Sequence, residues 1–150
     1  MALTRIPYRN TGYFSPLICD LIEGHPALET LISGPVQLGQ FEKQIEAKQK
    51  QYPLSTRKTL IKELQLQYQD FPQTNMVEAQ LSLLAKDSTF TITTGHQLNL
   101  FTGPLYFFYK IISTINLCKQ LKQKYPQFNF LPVYWMATED HDFEEISFFH

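Results

Sequence analysis

The chain has 150 residues, of which 43% are hydrophobic and 18% charged, and its formal net charge is -1. This composition is typical of a folded globular protein and argues against a disordered chain. Near-neutral charge without a run of Lys or Arg argues against a broad nucleic-acid interface. No apolar stretch approaches the roughly 18 residues of a membrane helix, and the N-terminus lacks an apolar core of signal-peptide length. We therefore expect a cytoplasmic protein with neither nucleic acid nor membrane as a partner.

The first part of the chain, residues 1–86, is predicted to be mainly helical. Cys19, near its start, has apolar neighbours, as does the distant Cys118, so we expect two buried thiols and neither a disulfide nor a metal site. Apolar residues then recur at helical spacing in three segments, of which the first is ended by Tyr52 and Pro53 and the second can be capped by Ser55. The apolar positions of these three helices are Val36, Leu38, Phe41 and Ile45, then Leu60, Ile61, Leu64 and Tyr68, then Val77, Leu81, Leu84 and Ala85.

The second part, residues 87–150, is predicted to begin an α/β core. Residues 89–94 are β-branched and aromatic, which favours a strand, and a long helical pattern follows from Gly103 and Pro104 to Tyr125 and Pro126. Residues 130–137 are almost continuously apolar, as expected for a strand covered on both faces of a parallel sheet. Strand, helix and strand form a βαβ unit, so the predicted fold class is α/β, with a Rossmann-like parallel sheet.

The loop between the first strand and the helix is the first candidate site. In open α/β sheets such a loop faces the ligand crevice, and the helix after it points free N–H groups toward anions. His96 could donate a hydrogen bond to a phosphate or carboxylate, or simply bond to the backbone. The neutral polar residues suit a nucleotide or sugar, although neither a Walker lysine pattern nor a G-x-G-x-x-G fingerprint occurs. The candidate binding residues here are Gly95, Gln97, Asn99, Thr102 and Gly103.

A second candidate site follows the apolar strand, where five consecutive residues, 138–142, are polar or ionisable. A right-handed crossover would bring this segment to the same sheet edge as the loop. Asp140, His141 and Asp142 could perform acid/base chemistry together with His96, and oxygen ligands such as Glu139 would also suit Mg²⁺. In an extended chain these side chains would alternate between two faces, whereas a turn would relax that restriction. A solvated loop, or a helix cap, is the alternative.

Lys110 is a lone cation about one turn into the helix that follows the loop. Its ammonium could reach the crevice, or it could extend to solvent while its stem packs on the sheet. The aromatic residues around it follow the helical spacing, so they are predicted to be core residues and not a stacking platform.

Three segments of the chain have a shared pattern of motifs. They are Thr94-Gly95-His96-Gln97 with Leu100-Phe101-Thr102-Gly103-Pro104-Leu105-Tyr106, Lys110-Ile111-Ile112-Ser113-Thr114-Ile115, and Pro132-Val133-Tyr134-Trp135 with Glu139-Asp140-His141-Asp142-Phe143-Glu144-Glu145-Ile146. Together these segments resemble a known family, the bacillithiol-biosynthesis cysteine-adding enzymes. The resemblance covers about residues 91 to 149, and its motifs occur in the expected order and separation. One difference is at residue 96, where the family commonly has Gln and this chain has His96.

This resemblance implies a cysteine ligase that joins L-cysteine to the amino group of glucosaminyl-malate in the last step of bacillithiol biosynthesis. It also implies ATP as the activator, Mg²⁺ as a candidate ion, a Rossmann-like fold with a coiled-coil element, and a homodimer in the full-length protein. The loop residues would cradle an anionic substrate, and residues 139–142 would supply acid/base or metal-binding groups.

Family members are several hundred residues long, so the chain resembles an N-terminal fragment that lacks the coiled coil and the rest of the core. Two parallel strands do not close a sheet, which independently predicts an incomplete domain that is inactive alone. Two other functions stay open at this point. One is a nucleotidyltransferase-like nucleotide-binding enzyme, by analogy of fold. The other is a noncatalytic helical interaction module, suggested by the Gln- and Lys-rich first half.

Overall fold

The computed structural model describes residues 4–34, 37–72, 75–99 and 103–140. The chain forms two compact units, residues 1–51 and residues 52–150. The second unit therefore groups two of the predicted N-terminal helices with the strands. The predicted domain division after residue 86 stays a prediction.

The first unit is helical, as predicted, but it begins with two short helices that the periodicity did not reveal. These are α1 (Tyr8–Thr11) and α2 (Pro16–Glu23), and they precede α3 (Phe41–Gln51). Local signals explain α2, because the Ser15 hydroxyl accepts a hydrogen bond from the Ile18 amide and Gly24 ends the helix with a positive φ of 72°. Eight residues are too few to show a clear apolar stripe.

Ion pairs connect α1 and α2. The Arg9 guanidinium donates to the carboxylates of Asp20 and Glu23 at 2.6 Å each, and the hydrogen bonds to Glu23 and then Asp20 raise the pKa of Arg9. Because all three side chains are largely exposed, solvent screens these pairs and they contribute little to stability. Cys19 and Ile45 are the buried hydrophobic residues of this unit in the ranges that the structure describes.

The second unit contains the helices α4 (Leu54–Tyr68), α5 (Asn75–Leu84) and α6 (Leu105–Lys124), with strands β1 (Thr89–His96) and β2 (Asn129–Met136). The predicted Ser55 cap is wrong. Pro53 is the N-cap of α4, with ψ 154°, and its carbonyl accepts a hydrogen bond from the Arg57 amide. Pro104 likewise precedes α6 as its N-cap and does not lie in the first turn.

The two strands pair in parallel, with the register running from Thr89 opposite Asn129 to His96 opposite Met136, and α6 connects them. This confirms the predicted α/β fold class and its βαβ unit. The inner side of α6 packs on the sheet, where Leu121 is 0% exposed and Thr89 1%. Cys118 is also buried there, which raises the pKa of its thiol to about 11. Both cysteines are buried and free, as predicted.

The amino end of the sheet is held by two cations. Arg57, which is 7% exposed, donates from Nη1 to the Leu84 carbonyl at 2.9 Å and to the Thr89 carbonyl at 3.0 Å. These bonds join α4 to the end of α5 and the start of β1. Lys122 donates from Nζ to the carbonyls of Pro126 and Phe128 and to the Asn129 side-chain oxygen, at 2.8 to 3.1 Å. The turn before β2 is thereby fixed to α6.

The outer side of α6 is apolar and exposed, which contradicts the prediction that its aromatic residues belong to the core. Only Phe107 among them is half-buried, with its ring 5.6 Å from that of Tyr134. Tyr106, Phe108 and Tyr109 are 51%, 42% and 62% exposed. The reason is geometric, since a sheet of two strands covers one side of a helix. No helix in the described ranges is long and apolar enough to cross a membrane.

Candidate functional site

An open cleft of about 590 Å³ lies at the carboxyl end of the two strands. Its volume is in the range of small-molecule sites. The loop after β1 and the segment after β2 both contribute to it, because parallel strands end at the same sheet edge. The residues that line the cleft are Thr93, Thr94, Gly95, His96, Gln97, Lys110, Trp135, Ala137 and Asp140.

Gly95 is a point of close approach between the strands. A Cβ added there would lie 2.7 Å from the Trp135 carbonyl oxygen and 3.0 Å from the Trp135 Cβ. The first distance is too short for a Cβ atom and the second is tight, so any larger residue would displace β2. The absence of a side chain at Gly95 leaves space for the indole of Trp135, which is 58% exposed and forms one wall of the cleft.

Lys110 is the cation of the cleft. Its ammonium donates to the Gly95 carbonyl at 3.0 Å and lies 5.7 Å from the centre of the Tyr106 ring. The side chain therefore bends toward the crevice, and the alternative of extension into solvent is not what the structure shows. An ammonium has three N–H donors and Gly95 accepts from one of them, which allows Lys110 to bind an anion as well.

His96 is held at both ring nitrogens. Its Nδ1 lies 3.0 Å from the Gln97 carbonyl oxygen and its Nε2 lies 2.7 Å from the Tyr106 hydroxyl. The Asn99 side-chain amide donates to the same Gln97 carbonyl at 3.1 Å. These contacts fix the ring at the edge of the cleft, which it lines together with Gln97.

Gly103 supports this loop from the other side. Its φ of 63° lies in the left-handed region, and an added Cβ would come within 2.9 Å of the Asn99 side chain. The position therefore requires glycine for two reasons, backbone strain and lack of space. Whether a glycine was needed here could not be decided from the sequence.

The segment after β2 bends immediately. Thr138 and Glu139 form a turn, and the Asp140 amide donates to the Ala137 carbonyl at 3.4 Å. Because of this turn, the alternation expected for an extended chain does not apply to residues 138–140. Asp140 lines the cleft, whereas Glu139 is exposed and does not.

The cleft thus brings together five of the predicted site residues, whereas Asn99, Gly103 and Glu139 do not line it. Thr102, His141 and Asp142 lie outside the described residues. Within the described ranges no three His, Cys, Asp or Glu side chains are grouped so that they could hold a metal ion. The five grouped residues are Gly95, His96, Gln97, Lys110 and Asp140.

Two neighbours of the site were missed at the level of sequence. Trp135 was assigned to a buried strand, yet it pairs with Gly95 and lies beside the cleft. The glycine was the available signal, since a strand glycine often marks a close approach of another group. Tyr106 contacts His96 across ten residues of sequence. No local pattern reveals that contact, because it depends on how α6 packs on β1.

Comparisons with known proteins agree on one family. Residues 1–150 match the family model described as bacillithiol biosynthesis BshC, N-terminal Rossmann-like domain. Among curated proteins, the chain is 54% identical over 145 residues to a protein of Flavobacterium johnsoniae and 52% identical over 146 residues to one of Flavobacterium psychrophilum. A protein of Christiangramia forsetii is 52% identical over 145 residues. All three carry the name "Putative cysteine ligase BshC".

Each of these alignments covers 97% of the chain, but only 27% to 28% of the relative. The chain therefore spans about a quarter of the length of the curated relatives that it matches.

Proposed function

This chain belongs to the bacillithiol biosynthesis BshC family, in which it matches the N-terminal Rossmann-like domain, and from that premise we propose that its full-length protein is a cysteine ligase. The substrates would be L-cysteine and glucosaminyl-malate. Cysteine agrees with the name of the relatives. The identity of the second substrate, glucosaminyl-malate, rests on the resemblance of the site motifs to those of the cysteine-adding enzymes.

The chemistry requires an activated carboxylate. The C–N bond forms between the carboxyl carbon of cysteine and the amino nitrogen of glucosaminyl-malate, and the amine loses a proton. One carboxylate oxygen of cysteine must leave. ATP would supply the phosphate-containing group that is bonded to this oxygen and leaves together with it. This proposal therefore requires a place for anions and a group that accepts a proton, since general acid/base catalysis needs a side chain within hydrogen-bond reach.

The observation that carries the proposal is the cleft that Lys110 lines. Its ammonium is fixed by the Gly95 carbonyl at 3.0 Å, beside the Gln97 and Thr94 side chains that also line the cleft. Both reaction partners and ATP carry carboxylates or phosphates. Such anions suit an ammonium surrounded by neutral hydrogen-bonding groups.

The acid/base groups in this proposal are His96 and Asp140, with His141 and Asp142 from the adjoining sequence. His96 and Asp140 line the same cleft, which supports their joint assignment. Gln97 and Lys110 would bind substrate or nucleotide directly. Gly95, Asn99 and Gly103 would shape the loop, and Thr102 and Glu139 are further candidates for binding.

The described residues fit an anionic nucleotide better than they fit its metal ion. Lys110 and the loop can hold phosphate oxygens, but Asp140 is the single carboxylate that lines the described cleft. A Mg²⁺ ion would therefore need ligands from outside these ranges, from Asp142 for example or from the nucleotide itself. We also propose that the full-length protein is a cytoplasmic homodimer, as the family resemblance implies.

The test is mass-resolved product formation from glucosaminyl-malate, L-cysteine, ATP and Mg²⁺. We expect the full-length protein to form the cysteinyl product and the 150-residue chain alone to form none. In the full-length protein, Asp140→Asn should lower turnover by about 100-fold, which is typical for loss of an acid/base group. Asp87→Asn is the matched control, because this exposed carboxylate precedes β1 and does not line the cleft.

Two outcomes would contradict the proposal. Absence of product from the full-length protein would exclude the ligase activity. Equal turnover of the Asp140 and Asp87 variants would remove Asp140 from the mechanism while leaving the activity in place.

A further inference from the structure

The outer side of α6 is apolar along the half of the helix that lies next to the cleft, and polar along the other half. The exposed outer residues of the apolar half are Leu105, Phe108, Tyr109, Ile112 and Ile115. We call these five residues the outer patch. Those of the other half, which are also exposed, are Asn116, Lys119, Gln120 and Gln123. The outer patch therefore ends halfway along the helix.

The sheet cannot cover the outer patch. Thr114 and Leu121 are buried on the inner side of α6, which packs on the strands. At about 100° per residue, Ile112 lies about 160° around the helix from Thr114 and about 180° from Leu121. Ile112 is 53% exposed. Because a sheet lies on one side of its helices, further strands at either edge would still leave Ile112 uncovered.

The two halves of the outer side differ in the surroundings that they suit. The polar half has the composition of a helix side that faces water. In the apolar half, Phe108, Ile112 and Ile115 follow the i, i+4, i+7 spacing of a surface that packs against another element. A contiguous exposed apolar patch marks an interaction surface. The change between the halves therefore indicates a covering element that reaches only the half next to the cleft.

We propose that the outer patch is covered by the part of the same polypeptide that follows residue 150. The three relatives are matched over only 27% to 28% of their length, and the matching family model is an N-terminal domain. Most of the full-length protein therefore lies beyond this domain and can supply the cover. The covering segment lies on the outer side of α6, in a further layer outside the sheet and its helix, because strands of the sheet cannot reach Ile112.

A second copy of this chain fits the outer patch less well. The patch spans residues 105–115, which is about 16 Å of helix. A stable interface between two proteins usually buries about 800 Å² on each partner and involves about 20 to 30 residues a side. Five side chains on one helix are too few for that. A segment of the same chain can cover so small a patch, because it loses little translational and rotational freedom when it packs.

The position of the outer patch also places the covering segment relative to the cleft. Lys110, which lines the cleft, lies between Tyr109 and Ile112 on the same turns of α6. A segment that packs on the patch is therefore a neighbour of the cleft. This inference does not depend on the reaction, since it uses only the exposure and the order of residues along α6.

The first experiment measures whether the outer patch is covered. Ile112→Cys and Lys119→Cys are a matched pair, because the two positions lie about two turns apart on the outer side of α6. Each variant of the full-length protein is labelled with N-ethylmaleimide, and peptide mass spectrometry gives the rate at the new thiol relative to the rate in denatured protein. We expect Ile112→Cys to be labelled at least about tenfold more slowly than Lys119→Cys. Equal relative rates would overturn the inference.

The second experiment identifies the covering segment. A photoreactive benzoylphenylalanine takes the place of Tyr109 in the full-length protein, and the same residue in place of Lys119 is the control. On irradiation, we expect the Tyr109 position to form a crosslink to a peptide from beyond residue 150, in a product with the mass of one chain. The Lys119 position should form little of this crosslink. A product of twice the chain mass would assign the patch to a second copy and overturn the proposal. Absence of a crosslink, or one confined to residues 1–150, would overturn it as well.

Discussion

The two ends of the β1–β2 sheet use the same residue types for different purposes. At the amino end, Lys122 donates to three oxygen acceptors of the turn before β2, and Arg57 donates to two buried carbonyls. At the carboxyl end, Lys110 donates to one carbonyl at the edge of an open cleft. Lys110 and Lys122 lie on the same helix, α6. Their surroundings, and not their chemistry, separate a structural cation from one that can bind a ligand.

The cost of burial explains the two hydrogen bonds of Arg57 at the amino end, where Lys122 is exposed. A buried cation is destabilising unless its donors are satisfied, and Arg57 still has one buried nitrogen, Nε, without a partner among the described residues. At the carboxyl end, the cleft is open, so water can accept hydrogen bonds from the Lys110 donors that no protein group accepts. The difference between the two ends leads to three predictions, which follow from the largest expected effect to the smallest.

Arg57→Met should open the amino end of the sheet. It removes both hydrogen bonds from the Leu84 and Thr89 carbonyls but keeps much of the side-chain volume. We expect β1 to lose about 2 kcal/mol of local stability. Hydrogen–deuterium exchange of the full-length protein, read in peptides that contain β1, should then be about 30-fold faster. Lys58→Met is the control, because Lys58 is an exposed residue on the same helix. Similar exchange in both variants would show that the Arg57 bonds do not hold β1.

Lys110→Met should weaken substrate binding without unfolding the protein. A hydrogen bond to a charged group contributes about 1.5 to 3 kcal/mol, so we expect KM for the anionic substrate or ATP to rise about 10- to 100-fold. Lys122→Met makes the same change at the other end of α6, and it should lower the thermal midpoint while KM stays the same. Initial-rate kinetics and thermal unfolding of both variants separate the two roles. A comparable rise in KM in both would contradict the assignment.

Gly103→Ala should disturb the cleft by a smaller amount. The left-handed backbone costs alanine about 1 kcal/mol, and the methyl group would also displace the Asn99 side chain. We expect KM to rise about fivefold. Gly24→Ala is the control, since Gly24 has a similar φ of 72° but nothing within 4 Å of an added Cβ. If KM rises equally in both variants, the effect comes from general destabilisation and not from the loop.

The sequence predicted the βαβ unit because its signals are local. The helical spacing of apolar residues predicts α6, and runs of β-branched and apolar residues predict the two strands. The order of these elements then fixes a parallel pairing, and parallel strands place their following loops at one edge. That argument predicts from chain order alone that His96 and Asp140 lie at the same edge of the sheet. Short helices such as α2 were missed because eight residues show too little periodicity.

The sequence by itself determined the fold class and the sheet edge where the candidate site lies, since hydrophobic periodicity and chain order encode both. The tertiary structure decided which atoms meet there. It turned Lys110 toward the Gly95 carbonyl, placed the Tyr106 hydroxyl on His96 and separated Asp140 from Glu139 by a turn. These contacts join residues through the packing of α6 on β1 and the bend after β2. Such geometry depends on side-chain directions and strand register, which no local pattern of residue types specifies.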